Sequence, residues 1–521
     1  MEKIAIGIYD DPLNQRQPIL NIDLLNHNIA VFGSHMTGKT TFLKTLLIRM
    51  NEISKSSNIV EETYILDFGD SLAEYSKLYN ICASFNSSNG ENIKRIFKVI
   101  SDKMESNSRS LSKLGKNFLA YVNEKDKSTD SNTPNNLPEI HHITFIVDNA
   151  NALFSEEDYS IYHDDLLRFC RDGLSKGVTV ILTVSDTCIP SKILANFNQK
   201  IAFKVDIEKY MEIFGVRTIQ PMNFKGRGLV NINSNVLEFQ CFLPFRNETE
   251  QSKFFEDLKN SNIGENPNFL KSFEDDLTFD NLIGYSSVKE IPNNMAVVGL
   301  EYYQHNPIGI NFDNNRSIAV YGKKHFGKTN LLNLLVKYIV ENRNTLFDAT
   351  CSFILFDDGK KQLSDINKYL LKSGILNDNI EYVNNFEGFN KAVKSRELLN
   401  TVFIIQNRTF YNDRTIVLRT FPNLIAQSTT NHDIFIYADI PIIADSDLAI
   451  GFNSNISSAF VFDNIGEFVN TKGQRTIFKN MNSKELKEQF AKCELGDGYY
   501  YDFDNDDLQK LKFIKYDLNI D

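Results

Sequence analysis

The stretch Ile29–Met50 reads IAVFGSHMTGKTTFLKTLLIRM, and it returns as Ile318–Ile339, IAVYGKKHFGKTNLLNLLVKYI. Each copy runs from an apolar strand through a loop of the form G-x-x-x-x-G-K-[ST], at Gly33–Thr40 or Gly322–Thr329, into an amphipathic helix. A loop of this form turns successive backbone N–H groups onto phosphate oxygens, sends its lysine to the β and γ phosphates, and offers a hydroxyl to magnesium. The helix adds the positive end of its dipole. ATP and magnesium are therefore the expected ligands. In the first copy the binding residues are Gly33, Ser34, His35, Met36, Thr37, Gly38, Lys39, Thr40 and Thr41. In the second they are Gly322, Lys323, Lys324, His325, Phe326, Gly327, Lys328, Thr329 and Asn330. Thr40 and Thr329 are the expected metal ligands of the two loops.

Outward from the first loop, Phe42, Leu43, Leu46, Leu47 and Met50 recur at helical spacing and predict one buried face that packs on a sheet. Thr63–Phe68 reads as a buried strand, and Ile93, Ile96, Phe97, Ile100 and Met104 mark a second amphipathic helix. Asp126–His142 is polar and proline-bearing and reads as a surface loop. Ile143–Asp148, ITFIVD, is an apolar strand ending in a carboxylate, the form of a Walker B element whose aspartate holds hydrated magnesium. Asn149 follows, where many such ATPases carry a glutamate that activates the attacking water; an amide cannot accept that proton. A helix over Tyr162–Leu174, strands at Val178–Val184 and Ile201–Val205, the Gly226–Arg227–Gly228 turn and Leu237–Leu243 complete the unit. The alternation predicts an α/β fold: two tandem RecA-like P-loop NTPase domains, each a mostly parallel sheet with helices on both faces.

The second unit repeats these elements in order, Lys39 answering to Lys328, Asp67 to Asp357, Ala202 to Ala459 and Gly226 to Gly496. It is about thirty residues shorter between its second and fourth strands, where helix as well as loop is lost. Val402–Ile405 fills the Walker B strand, but Gln406 stands in the aspartate's place and Asn407 follows. A neutral amide is a poor magnesium-organising group, so hydrolysis is not expected there. Gly496–Asp497–Gly498 leads into Tyr499–Phe503, read as the last strand. The expected domains are 1–245 and 293–521, joined by a polar linker over 246–292 that includes a helix near Gln251–Leu258.

Composition narrows the function classes. The net charge of −11 over 521 residues disfavours a broad phosphate-neutralising surface, so no nucleic acid partner is expected. Six scattered cysteines with no C-x-x-C pair argue against a zinc site or disulfide framework and point to a reducing cytosol. The best apolar run, Ile434–Ala444, is interrupted by Asp439 and Pro441, too short to span a bilayer. MEKIAIGIYDD enters strand-like sequence directly, so no secretory signal is expected and the chain reads as part of a longer protein.

Tandem loops of this kind, the ILDFG strand end, LANFNQKIAFKV at Leu194–Val205, GRGL at Gly226–Leu229 and GDGYYYD at Gly496–Asp502 together resemble the FtsK/SpoIIIE ATPase superfamily. Within it they are similar to the two C-terminal ATPase domains of the type VII secretion ATPases. The resemblance covers nearly the whole chain. It implies a longer protein with forkhead-associated modules, two membrane helices and a cytoplasmic row of three ATPase domains, assembled as a hexamer with other subunits of the secretion machine. This chain would be its cytoplasmic end, monomeric on its own, docking small secreted helical WXG100-type proteins. It also implies that Lys39, Thr40 and Asp148 hold the first Mg·ATP, and Lys328 with Thr329 the second. Asn149, Gln406 and Asn407 depart from the family's acidic residues.

Further candidates are weaker. Arg168, Arg171 and Arg227 are candidates for an arginine that completes a neighbouring subunit's site, against the plainer reading of ordinary salt bridges. His35 and His325 supply too few ligands for zinc. Asp67, Asp357 and Asp358 end strands at the functional edge, where they either orient water or close a turn. Three activities compete: an ATP-driven secretion motor, a non-hydrolysing docking module for helical proteins, and a DNA translocase, against which count the acidic balance, the doubled motor unit and the absence of a basic DNA-reading domain after Asp502. No LSGGQ-like stretch supports a transporter ATPase of the ABC type.

Overall fold

The computed structural model describes the chain apart from residues 1–2, 56, 87–89, 131–136, 186–187, 217–219, 233–234, 261–269, 271–272, 274–275, 286–287, 289–293, 348–350, 396–399, 414, 417–431, 441–455, 464–492, 494, 506 and 519–521. It divides into two compact units, Met1–Lys271 and Ser272–Asp521.

The strands of the first unit are β1 (Ile4–Tyr9), β2 (Ile19–Ile22), β3 (Ile29–Phe32), β4 (Glu61–Asp67), β5 (Ile81–Asn86), β6 (His142–Asp148), β7 (Val178–Val184), β8 (Gln199–Ala202), β9 (Arg227–Ile232) and β10 (Asn235–Cys241). Among the described residues they form one sheet in the order β2-β1-β10-β9-β8-β3-β7-β6-β4-β5. From β8 to β5 every pair is parallel; from β2 to β8 every pair is antiparallel.

The parallel half is covered on both faces, so that β3, β4, β6 and β7 are buried at every position. On β3, Ile29 and Val31 point to one side and pack with Phe42, Leu43, Leu46, Leu47 and Met50 of the helix Lys39–Ser54. Ala30 and Phe32 point to the other, against Ile93, Ile96, Phe97, Ile100 and Met104 of the helix Gly90–Leu114. Period-2 alternation thus feeds two cores, and each large side chain buried in them contributes about 1.5–3 kcal/mol.

The strands of the second unit are β11 (Ala296–Glu301), β12 (Pro307–Ile310), β13 (Ser317–Gly322), β14 (Cys351–Asp357), β15 (Ile380–Val383), β16 (Asn400–Gln406), β17 (Ile434–Ile440), β18 (Ser458–Phe462), β19 (Asp497–Asp502) and β20 (Asp507–Phe513). Their order, β12-β11-β20-β19-β18-β13-β17-β16-β14-β15, repeats the first unit strand for strand. Even an irregularity is copied: register shifts between Ala5 and Gly7 in one unit and between Val297 and Gly299 in the other. A Cβ would meet Gln240 O at 2.4 Å on Gly7, and Lys512 O at 2.3 Å on Gly299, so both positions exclude any side chain.

Three expectations are corrected. The match of Ala202 to Ala459 is two residues out: Ala459 lies opposite Ala319 as Lys200 lies opposite Ala30, so Val461 is the counterpart of Ala202 and Phe462 that of Phe203. A two-residue slip leaves every side chain on its own face, so alternation gives no warning of it. Tyr499–Phe503 is not the last strand, because β20 follows. Its Lys510 and Lys512 disguise it, although their stems are buried and Lys512 pairs with Asp497 at 3.4 Å. Asp126–His142 is not all loop: the helix Phe118–Asp130 covers its start and β6 its end, with 131–136 outside the described residues. Phe118, Tyr121 and Val122 hold that helix in a small core with Ile59, Leu111 and Ile140.

Most of the second unit's shortening lies here. Two helices of 25 and 13 residues separate β5 from β6, whereas one of 10 residues, Phe386–Ser395, separates β15 from β16. The segment read as linker is shared out. Phe255 of the helix Glu248–Asn260 enters the first core beside Tyr75, and Leu277, Leu282, Tyr285 and Val288 enter the second; much of the rest lies outside the described residues. Among the described residues no helix is long and apolar enough to cross a membrane.

Candidate functional site

β3 delivers the first loop to the carboxyl edge of the parallel strands, where Gly33 donates to Val184 O at 3.1 Å and Ser34 to Lys204 O at 2.8 Å. A Cβ on Gly33 would meet Thr37 Oγ1 at 2.6 Å, and Gly38, with φ of 122°, takes a backbone conformation open to glycine. Beneath the loop lies the Phe203 ring, which also meets Phe42 edge-on at 6.3 Å. The GRG turn abuts the loop as well: a Cβ on Gly38 would lie 3.4 Å from Gly226 Cα. The helix starts at Lys39, leaving its first amides unsatisfied and directed at the loop's hollow. Lys39 Nζ bonds Gly33 O at 2.5 Å and Ser34 O at 3.0 Å. Burial lowers the Lys39 pKa, and the nearby Asp148 carboxylate opposes that shift.

Asp148 ends β6 and is 3% exposed. Its Oδ1 accepts from Thr183 Oγ1 and from the Asn149 amide at 3.1 Å. Its Oδ2 accepts from Ser71 at 3.1 Å and faces Thr40 Oγ1 at 3.5 Å. Two hydroxyls and a carboxylate at the foot of a phosphate loop are hard oxygen donors, and this set fits a hydrated magnesium ion. Asn149 has φ of 55°, a left-handed conformation that asparagine tolerates better than most residues. A cleft of about 630 Å³ runs from the loop past Gly69, Ser71, Asp148, Asn149 and Ser185 to a wall of Lys225, Gly226 and Gln240–Leu243.

The second loop repeats the left-handed turn of the first at its second glycine, but its first glycine also takes a positive φ, which Gly33 does not. Gly322 and Gly327 have φ of 130° and 109°, and Phe462 lies beneath them as Phe203 does in the first unit. The left-handed positions are Met36 and His325, so the counterpart of His35 is Lys324 and the two histidines are neighbours rather than equivalents. The surroundings of the lysine differ. Gln406 lies opposite Asp357 as Asp148 lies opposite Asp67, so the register puts an amide where the first unit has its carboxylate. Lys328 Nζ bonds Gly322 O and Lys323 O but also sits 3.1 Å from Asp439 Oδ1, and Asp439 is bound by Arg408 at 2.9 Å. Lys323 pairs with Asp463 at 2.9 Å. Thr329 is exposed, with no carboxylate from β16 to share a metal, so the donor set does not fit magnesium as the first does. Sequence reasoning missed Asp439 and Arg408; the one signal was a charge at the end of an otherwise apolar strand.

The remaining candidates have partners within the chain. Asp67 accepts from the amides of Gly69 at 3.1 Å and Leu72 at 2.7 Å, and Asp357 from Gly359 at 2.7 Å and from Tyr382, so both close turns. Asp358 pairs with Lys360 at 2.7 Å. Arg168 is held by Asp165 and Ser101, Arg171 by Asp172, and Arg227 by Asp10 at 2.6 Å and Glu238 at 3.0 Å.

A doubled ten-stranded sheet, each copy with its glycine loop and helix over the same strand, defines a tandem P-loop NTPase fold of the α/β class. No protein-family model matches the chain. Over its whole length it resembles the type VII secretion ATPases EssC and EccC. The EssC of Staphylococcus aureus strain MRSA252 is 21% identical over 98% of this chain and 34% of that protein. The EccC of Geobacillus thermodenitrificans is 24% identical over 64% of this chain and 22% of that protein. The chain therefore spans about a third of the EssC it matches. Among solved structures, ATPases 2 and 3 of EssC from Geobacillus thermodenitrificans superpose with a TM-score of 0.70 at 19% identity, covering 99% of this chain and 97% of that one. ATPases 2 and 3 of Thermomonospora curvata EccC, solved with a signal sequence peptide, give 0.62 at 18% identity, covering 99% and 93%.

Proposed function

We propose that this chain is the two-ATPase part of a type VII secretion motor, in which the first unit binds Mg·ATP and the pair recognises and drives export of small helical WXG100-type proteins. The observation that supports this most is the Asp148 carboxylate, held by Ser71 and Thr183 and facing Thr40 at 3.5 Å beneath an intact loop. Lys39 and the loop amides would hold the phosphates, and Thr40 with Asp148 the metal. Bound magnesium supplies charge neutralisation for phosphoryl transfer. Asn149 positions its backbone on Asp148 and Thr183 but offers no base, so turnover by the isolated chain is slow. The likeness to a pair of ATPases solved with a signal peptide supports a substrate-docking role. In the longer protein the units would work in a membrane-bound hexamer with other subunits, on the cytoplasmic side. Lys39→Ala should abolish nucleotide binding by the first unit; binding unchanged in that variant overturns the assignment.

The amides at Asn149, Gln406 and Asn407 favour a second reading, a nucleotide-responsive docking module that does not turn over. Steady-state phosphate release that Asp148→Ala abolishes excludes it. A DNA translocase is the least supported, and salt-dependent DNA binding would be its signature.

A further inference from the structure

In the first unit β7 pairs with β3 in unbroken register, ending Phe32 opposite Val184. In the second, the register between β13 and β17 slips between Ala319 and Tyr321, and Asp439 occupies the slip with φ of 53°. An extra residue of this kind bends its strand and re-aims a side chain. Here it aims a carboxylate at the phosphate loop. Asp439 Oδ1 lies 3.1 Å from Lys328 Nζ, and its Oδ2 accepts from both Nε and a terminal nitrogen of Arg408 at 2.9 Å. The paired side chains of Lys328 and Asp439 are 11% and 12% exposed. Burial alone would raise the Asp439 pKa, but hydrogen bonds from Arg408 and Lys328 outweigh it and hold the carboxyl below its usual range. Among the described residues of the first unit there is no counterpart: Lys39 rests on loop carbonyls, and an apolar valine ends β7.

The lysine of such a loop is the cation that receives the terminal phosphates. We propose that Asp439 is a built-in occupant of the second loop, an internal carboxylate latched on Lys328 by Arg408 that excludes nucleotide from that site. An entering phosphate must break a largely buried ion pair and then lie beside the released carboxylate, and both effects oppose binding. The inference rests on Gly322–Thr329 being a phosphate loop, and it deepens the proposed function: the second unit keeps the loop as a closed structural element.

The test uses the full chain carrying Lys39→Ala, so that only the second loop can bind, titrated with a fluorescent ADP analogue and with ATP, with and without magnesium. The Lys39→Ala chain should show no Lys328-dependent binding at concentrations that saturate the unmodified first site. Adding Asp439→Asn, which keeps the shape and tolerates positive φ, should produce binding at least tenfold tighter, lost again with Lys328→Ala. Asp439→Gly provides a second charge-free variant suited to the same backbone should the first fail to fold by circular dichroism. The latch is overturned if the Lys39→Ala chain already binds through Lys328 as tightly as the Asp439→Asn chain, or if a folded charge-free variant binds nothing. Failure of the first unit to bind nucleotide would instead sink the proposed function, and it is read separately in a Lys328→Ala chain.

Discussion

Thr183 donates its hydroxyl to Asp148 on the neighbouring strand, and the second unit has lost both partners together. Register places Ile181 and Leu182 where the second unit has Ile436 and Tyr437, so Ala438 follows in the place of Thr183, beside Gln406. The threonine is thus a positioning residue for the metal carboxylate. A hydrogen bond to a charged group contributes about 1.5–3 kcal/mol. Thr183→Val should therefore weaken magnesium-dependent nucleotide binding by roughly tenfold or more, while magnesium-free binding through Lys39 changes little. Parallel titrations with magnesium and with a chelator check this, and an equal loss in both would show that Thr183 acts on the loop instead.

Asn149→Glu tests whether a missing base limits turnover. A positioned general base contributes about 10²–10⁴-fold, so phosphate release should rise well above the unmodified chain even with imperfect placement. The left-handed backbone at position 149 opposes the change, and a stability loss of about 1 kcal/mol is expected in the first unit. Unchanged turnover in a variant that still binds nucleotide would mean that chemistry is limited elsewhere.

Phe203 and Phe462 support the two loops from below, and neither ring reaches solvent. Truncating a buried aromatic costs about 3–5 kcal/mol, so Phe203→Ala should lower the unfolding transition of the first unit and Phe462→Ala that of the second. Denaturation followed by a fluorescent label in each unit separates the two. A shift of both transitions by one substitution would show that the units do not unfold independently.

Acid should act oppositely on two carboxylates, one in each unit. Glu62, buried and bonded to His141, Lys103 and Tyr64, has its carboxyl lowered to about 2: burial would raise it, but the partners prevail. Its folded pKa lies below the unfolded one, so its stabilisation is present above about 4.5 and is lost as the pH falls toward 2. Asp433, which accepts from the Thr401 amide at 2.7 Å, is raised by burial to about 7. There the folded state holds the extra proton, so stability from this group is present at low pH and is lost as the pH rises from about 4 to about 7. Asp433→Asn should flatten that slope in the second unit and leave the first unchanged; thermal melts between pH 4 and 8 read it directly.

The features legible in sequence were those with local chemistry. Glycine and lysine spacing marks both loops, and apolar runs mark the strands that surround them. Asp148 was legible because a carboxylate ends a run that is otherwise mostly apolar, and Gln406 because it stands where that carboxylate belongs. Asp439 was not, since its importance comes from a one-residue slip between β13 and β17 that no local pattern encodes. Thr183 likewise is one of several threonines in buried strands, distinguished only by the strand it lies beside. The false match of Ala202 to Ala459 has a related cause: β-structure repeats every two residues, so identity at one position is weak evidence of register. Lysines within β20 hid a strand because their charged ends and their buried stems give opposite signals.

The pairing of β1 with β10, and of β11 with β20, joins the opening strand of each unit to its closing one. Gly7 lies beside Cys241, and Gly299 beside Phe513. During synthesis the first hairpin of each unit must wait for about two hundred residues before its neighbour leaves the ribosome, and long-range pairing of this kind folds slowly. Until then its edge is open, and for the hairpin of the second unit a strand of matching geometry, β10, has already been made. A duplicated fold of this topology has a specific misfolding partner encoded in the same chain. The different side chains along β10 and β20, NVLEFQC and DLQKLKF, are what distinguish the correct neighbour from its double.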